Sequence, residues 1–268
     1  MSESPVTLHF AHANGFPAAS YNEVFKRLPK HWQILAKPMF GHDPALPVGR
    51  NWENQVAELL EYVKVNRQGT KVYAVGHSFG AIISFMAACE QPDYFAGLIV
   101  IDPPLVLGPG SWLLRGAKLT SYIDKITPAK LAQNRNSQWQ ADSDLVSYFQ
   151  QKALFKNMQP ACVADYVAAA TQHEEGRISL TFRPDVEADI FRNVPHNLDR
   201  YKGRLQCPGL LITGAESVVC KPKHWQRFVQ QNRIEQTSLP GGHMLPLEFP
   251  QDVADRLTKT INRWAATC

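Results

Sequence analysis

Compact apolar runs alternate along this chain with longer segments in which apolar residues recur every three or four positions. The runs read as strands and the periodic segments as amphipathic helices. The first run, Val6-Thr7-Leu8-His9-Phe10, stops at the turn signals Asn14-Gly15 and Phe16-Pro17. The pattern then predicts a helix over 20–28, a strand at Gln33-Ile34-Leu35-Ala36 and a Pro- and Gly-rich loop over 38–49. From about Asn51 to Asn66, Trp52, Val56, Leu59, Leu60 and Val63 fall on one helical face. A strand over 71–75 follows. The segment 81–89 is almost wholly apolar and reads as a buried helix. Leu98-Ile99-Val100-Ile101 is a further buried strand, ended by Asp102-Pro103-Pro104.

The pattern changes after Pro104. Over 105–198 strand signals are few, and aromatic residues such as Trp112, Trp139, Phe149 and Phe155 interrupt polar, helix-like sequence. This predicts a mostly helical insertion at 105–198 in a core formed by 1–104 and 199–268. The core pattern resumes with a strand at Gly209-Leu210-Leu211-Ile212-Thr213, a helix near 223–230 and a strand over 234–239. A last helix carries Val253, Leu257, Ile261 and Trp264 on one face. Strands alternating with helices predict an α/β fold, a mainly parallel sheet of about six strands with helices on both faces. Ligands bind such sheets beyond the carboxyl ends of the strands. Asn14-Gly15-Phe16, Ser78, Asp102, Glu216 and His243 all fall at such ends.

One of these positions carries an explicit chemical signal. Gly76-His77-Ser78-Phe79-Gly80 sits between a strand and a helix, the setting of a nucleophile elbow. A serine hydroxyl needs a base to become a nucleophile, and histidine titrates in the right range. Among nine histidines, His243 is the best placed, in a Gly-rich loop between the last strand and the last helix. His77 adjoins the nucleophile and is expected to be structural. His9 and His12 lie near the first strand, and neither fits the base position.

These motifs resemble those of the α/β-hydrolase superfamily over nearly the whole chain, from about Val6 to Trp264. His12-Ala13-Asn14-Gly15-Phe16-Pro17 is similar to the family's oxyanion-hole loop, Gly76 to Gly80 to its elbow, and Gly242-His243 to its histidine loop. On this resemblance, 105–198 is the variable cap, or lid. The chain looks like the capped esterases and lipases. Dehalogenases and epoxide hydrolases carry aspartate where this chain has Ser78. Little sequence precedes Val6, so the antiparallel hairpin that often begins the family's sheet is expected to be missing.

The position that holds the acid in many relatives is Ser217 here, three residues after Gly214. Two carboxylates are candidates in its place: Asp102 is preferred, and Glu216 is the alternative. The resemblance implies an oxyanion hole formed by the backbone N–H groups of Phe16 and Phe79, whose rings are also expected to wall the pocket. Asn14, Trp112 and Trp139 are the candidate substrate contacts. The implied activity is that of a serine esterase, with Ser78 forming an acyl-enzyme from a small to medium, partly apolar ester. Thioesterase, lactonase and C–C hydrolase activities use the same residues, and Ser217 leaves open a ligand-binding protein without turnover.

Composition narrows the partners. The 268 residues are 44% hydrophobic and carry a net charge of +4. No clustered basic patch points to nucleic acid. Met1-Ser2-Glu3-Ser4-Pro5 has no leader pattern, and no run is long and apolar enough for membrane insertion. Five scattered cysteines lack metal spacing and fit a cytoplasmic protein. The expectation is a small-molecule substrate, no metal or organic cofactor, and a monomer or homodimer.

Overall fold

The computed structural model describes residues 6–267. Met1–Pro5 and Cys268, which entered the reading of the leader and of the cysteines, lie outside the described residues. The core strands are β1 (Thr7–Ala11), β2 (Gln33–Ala36), β3 (Val72–His77) and β4 (Phe95–Ile101). The insertion contributes β5 (Gln138–Gln140), β6 (Thr171–Glu174) and β7 (Arg177–Leu180). The core closes with β8 (Gly209–Gly214) and β9 (Glu235–Leu239). The longer helices are α1 (Glu53–Asn66), α2 (Phe79–Glu90), α3 (Pro109–Ala117), α4 (Pro160–Ala170), α5 (Pro184–Arg192), α6 (Pro222–Asn232) and α7 (Pro250–Ala265).

Six strands form the main sheet in the order β2-β1-β3-β4-β8-β9, and every neighbouring pair is parallel. Alternation along each strand sorts its side chains onto two faces. Leu8, Phe10, Tyr73, Val75, Ile99, Ile101, Leu210 and Ile212 face one way, packing with Val253, Leu257, Ile261 and Trp264 of α7. Val72, Ala74, Leu98, Val100 and Leu211 face the other way, toward Trp52, Val56, Leu59 and Val63 and toward α2. Both faces are therefore covered, which is why these strands are apolar throughout. The four α7 residues are nearly or fully buried. Each contributes on the order of 1.5–3 kcal/mol by burial, and a Leu257→Ala change would cost about 2–5 kcal/mol.

The helix expected over 20–28 is shorter in the structure, a 3-10 turn at Ala18–Tyr21 followed by one α turn at Asn22–Phe25. Residues 105–198 hold α3, α4 and α5 and also a three-stranded antiparallel sheet, β5-β7-β6. These strands are three or four residues long. β5 and β6 show almost no apolar alternation, so no periodic signal marks them.

From β1 the chain crosses outward to β2, then returns past β1 to β3. The order reverses at this point. β1 and β3 stay paired up to Ala11 and Gly76, so the 12–17 loop and Ser78 leave the same end of the sheet on neighbouring strands. Among the described residues, no helix is long and apolar enough to cross a membrane.

Candidate functional site

Ser78 joins β3 to α2 at φ +54°, ψ −116°. A side chain at positive φ is strained, and here the fold over-determines it. Its N–H donates to the Ile101 carbonyl at 2.9 Å, and its carbonyl accepts from Ala81 at 3.1 Å. Crowding explains the flanking glycines. A Cβ on Gly76 would lie 2.3 Å from the Gly80 carbonyl oxygen, and one on Gly80 would lie 2.1 Å from the Ala11 oxygen. The elbow therefore presses against β1 and against its own helix, and only glycine fits at either flank.

His243 reaches the serine from the loop after β9. Its Nε2 accepts from the Ser78 hydroxyl at 2.9 Å, and its Nδ1–H donates to Asp102 Oδ2 at 2.7 Å. Asp102 follows β4 directly, at φ +43°, a left-handed conformation that aspartate tolerates better than most residues. Its side chain is wholly buried. The carboxylate also accepts from the Gly214 amide at 3.1 Å and from the Ser217 hydroxyl at 2.5 Å. Three donors thus compensate the desolvation of one buried charge. Glu216, by contrast, is exposed. The carboxylate beside His243 is Asp102.

The histidine loop is tied down from two sides. Gly242 N–H donates to Glu248 Oε2 at 2.7 Å. The His243 carbonyl accepts from His77 Nε2–H at 2.8 Å. His77 Nδ1 then accepts from the Tyr21 hydroxyl at 2.8 Å, whose oxygen accepts from Ala13 N–H at 3.1 Å. Burial pushes the His77 pKa well below the ordinary histidine value, and the neighbouring His243 adds to that. His77 is therefore neutral, and because a carbonyl can only accept, its proton is on Nε2. His77 couples the histidine loop to the 12–17 loop. His12 is also neutral: its Nδ1–H donates to the Ala13 carbonyl at 2.8 Å, and its Nε2 accepts from Phe40 N–H at 3.0 Å. Burial holds its pKa down at about 4.

The remaining expected site residues divide. The Phe79 amide lies at the N-terminus of α2 directly after Ser78, where a helix leaves its first N–H groups without intrahelical partners. Its ring does not wall a pocket; it is buried edge-on against Trp52, with centroids 4.8 Å apart. The Phe16 N–H closes a turn onto the Ala13 carbonyl at 3.1 Å, so its hydrogen is engaged inside the loop. The Phe16 ring packs on Phe155 and Tyr166 of the insertion. Asn14 Nδ2 donates to the Glu187 carbonyl of α5 at 2.9 Å, joining the 12–17 loop to the insertion. Trp139 is half-buried against Tyr148 and Phe149. Trp112 is 73% exposed on α3, so its ring is turned to solvent rather than to Ser78. The sequence pattern did not reveal Tyr21, Glu248 or the hydrogen bond from Ser217. For Ser217 a signal existed, since it occupies the family's usual acid position.

A serine, an imidazole and a buried carboxylate in one hydrogen-bonded row, below helix N–H groups, can perform acyl transfer. Among the described residues, no cluster of His, Cys, Asp and Glu could hold a metal ion.

The chain matches the model of the Alpha/beta hydrolase family over residues 10–256. It is 22% identical to a monoglyceride lipase of Rattus norvegicus, the match covering 99% of this chain and 84% of the lipase. It is 27% identical to the sn-1-specific diacylglycerol lipase ABHD11 of Mus musculus, over 70% of this chain and 58% of that protein. The peroxisomal alpha-beta-hydrolase Lpx1 of Saccharomyces cerevisiae superposes with a TM-score of 0.77 at 17% identity, covering all of this chain and 80% of that one.

Proposed function

The chain belongs to the alpha/beta hydrolase family, and we propose that it cleaves a carboxylic ester of a small to medium, partly apolar substrate through an acyl-enzyme on Ser78. Hydrolysis of ester bonds is supported by the lipase relatives. The observation that carries the mechanism is the row Ser78–His243–Asp102, with steps of 2.9 and 2.7 Å.

Ser78 Oγ attacks the ester carbonyl carbon while its proton passes to His243 Nε2. Asp102 holds Nδ1–H, which fixes the productive tautomer and stabilises the imidazolium that forms. The carbonyl oxygen becomes an oxyanion, and the Phe79 N–H donates to it. A second donor from the 12–17 loop would complete the hole, each donor contributing about 2.7–4 kcal/mol. Phe16 can serve by sharing its hydrogen between Ala13 and the oxyanion, a three-centre bond. The His243 proton then goes to the departing alcohol oxygen. Water deprotonated by His243 attacks the acyl-enzyme, releasing the acid and restoring Ser78. The lipase relatives support a partly apolar substrate.

The test is fluorophosphonate labelling read by intact mass, beside Ser78→Ala. One adduct that vanishes in the variant is the expected result. No adduct on the unsubstituted protein would refute the acyl-enzyme reading and favour a binding protein. A panel of esters and thioesters then fixes the leaving group.

A further inference from the structure

Ser217 stands where many family members carry their acid, and its hydroxyl donates to the carboxylate that His243 uses. We propose that Ser217 is a positioning residue: it holds the Asp102 carboxylate in the seat that an acid on the β8 loop would otherwise fill. This inference rests on the ester-hydrolase reading above.

The hydrogen-bond directions leave little freedom. Ser217 Oγ accepts from Val219 N–H at 3.2 Å, so its single hydrogen is directed to Asp102 Oδ2 at 2.5 Å. The Ser217 amide is itself fixed, closing a turn onto the Gly214 carbonyl at 3.1 Å. Gly214 N–H holds the other carboxylate oxygen, Oδ1, at 3.1 Å. The β8 loop therefore grips both oxygens of a carboxylate that arrives from β4. The backbone makes the same connection, since Asp102 N–H donates to Ile212 of β8 at 2.8 Å.

Oδ2 is the oxygen that both Ser217 and His243 address. The orientation of the imidazole thus depends on where Ser217 keeps that atom. An aspartate at position 217 would extend one bond beyond the present Oγ, toward the place of Oδ2. It could fill that seat only if the side chain at position 102 withdrew. The carboxylate comes from the end of β4 and the hydroxyl from the loop after β8, so the two groups can be exchanged between the positions by substitution. Other charged or titratable groups near the pair are His77, whose ring centroid lies 5.1 Å from that of His243, the buried Cys220, and Glu248, which binds Gly242 rather than the imidazole. None of them donates to Oδ2.

The exchange makes a specific experiment available. The variants are Ser217→Ala, Ser217→Thr, Asp102→Ser and the double exchange Asp102→Ser/Ser217→Asp. Each is measured for kcat and KM on a p-nitrophenyl ester and for the rate of fluorophosphonate labelling. Ser217→Ala is expected to lower kcat and the labelling rate about tenfold with KM unchanged, the effect of losing one hydrogen bond to a charged group. Ser217→Thr restores both rates, because the hydroxyl returns and position 217 is only half-buried. The double exchange is expected to run about a hundredfold faster than Asp102→Ser alone, since it puts a carboxylate back beside His243. Wild-type rates in Ser217→Ala would overturn the proposal, as would failure of Ser217→Thr to recover. Should the double exchange not fold, judged by its thermal transition, the Ala and Thr variants decide alone. Absence of labelling and turnover in the unsubstituted protein would overturn the ester-hydrolase reading and this inference with it.

Discussion

Replacing Asp102 by Asn changes one buried atom from acceptor to donor, and the structure indicates what that costs. Three donors converge on this carboxylate: His243 Nδ1–H, the Ser217 hydroxyl and Gly214 N–H. An asparagine offers one oxygen and one NH2. If the oxygen takes the place of Oδ2, the NH2 faces the Gly214 N–H, and two buried donors meet without an acceptor. If the NH2 takes that place, His243 must accept at Nδ1 and carry its proton on Nε2, facing Ser78. In that tautomer the base has no lone pair for the serine proton. Either arrangement removes the charge that stabilises the imidazolium. Loss of this carboxylate is worth about 10⁴ in kcat in a related constellation, or about 5 kcal/mol of transition-state stabilisation. The assay is the steady-state rate on a p-nitrophenyl ester at constant pH. Glu216→Gln, at an exposed position, is measured in parallel. Asp102→Asn should lose three to four orders of magnitude in kcat with a small change in KM, and Glu216→Gln should stay within about twofold. A loss below tenfold in the first, or above a hundredfold in the second, would refute the assignment of Asp102.

Three further outcomes follow from packing and burial. Gly80→Ala puts a Cβ 2.1 Å from the Ala11 oxygen and 2.6 Å from that of His12; β1 and its loop must shift, and urea unfolding should show a loss of about 3–5 kcal/mol. A loss under 1 kcal/mol would mean that the elbow is not close-packed. His12 has a pKa of about 4 when folded and about 6.5 when unfolded, so the unfolded chain binds its proton first as pH falls. The contribution of His12 to stability is complete above about pH 6.5 and is lost progressively toward pH 4, about 3 kcal/mol in all. Denaturation midpoints across that range should fall less steeply in His12→Gln, and identical slopes would sink the idea. Arg135 binds Glu187 Oε2 at 2.6 Å and the Tyr166 hydroxyl at 2.8 Å, and the Glu187 carboxylate lies against Gly15 of the 12–17 loop. Arg135→Met strands a largely buried carboxylate there, and calorimetry should show a loss of about 2–4 kcal/mol, partly recovered in Arg135→Met/Glu187→Met. No change in melting temperature would mean that this pair does not hold the insertion down.

What the chain determined by itself is a matter of period and local sterics. Alternating runs and helical spacings gave the parallel sheet with two covered faces, because burial on both sides makes strands apolar throughout. Gly76-His77-Ser78-Phe79-Gly80 between a strand and a helix fixed the elbow, since only glycines fit against Ala11 and the start of α2. The Gly-rich loop before α7 made His243 the base candidate. Tertiary structure decided the rest. Asp102 and His243 are 141 positions apart, and the direction of Asp102 depends on a left-handed residue at the end of β4, which no periodicity encodes. The same holds for Ser217, a serine at the family's usual acid position that only the folded chain brings within 2.5 Å of the carboxylate from the neighbouring strand. It also holds for Phe16, whose engaged amide is set by a turn, and for Trp112, an aromatic residue turned to solvent. A sequence pattern records which side chains must be buried. Where a polar side chain points at the end of a strand is fixed by partners that arrive only when the whole chain has folded.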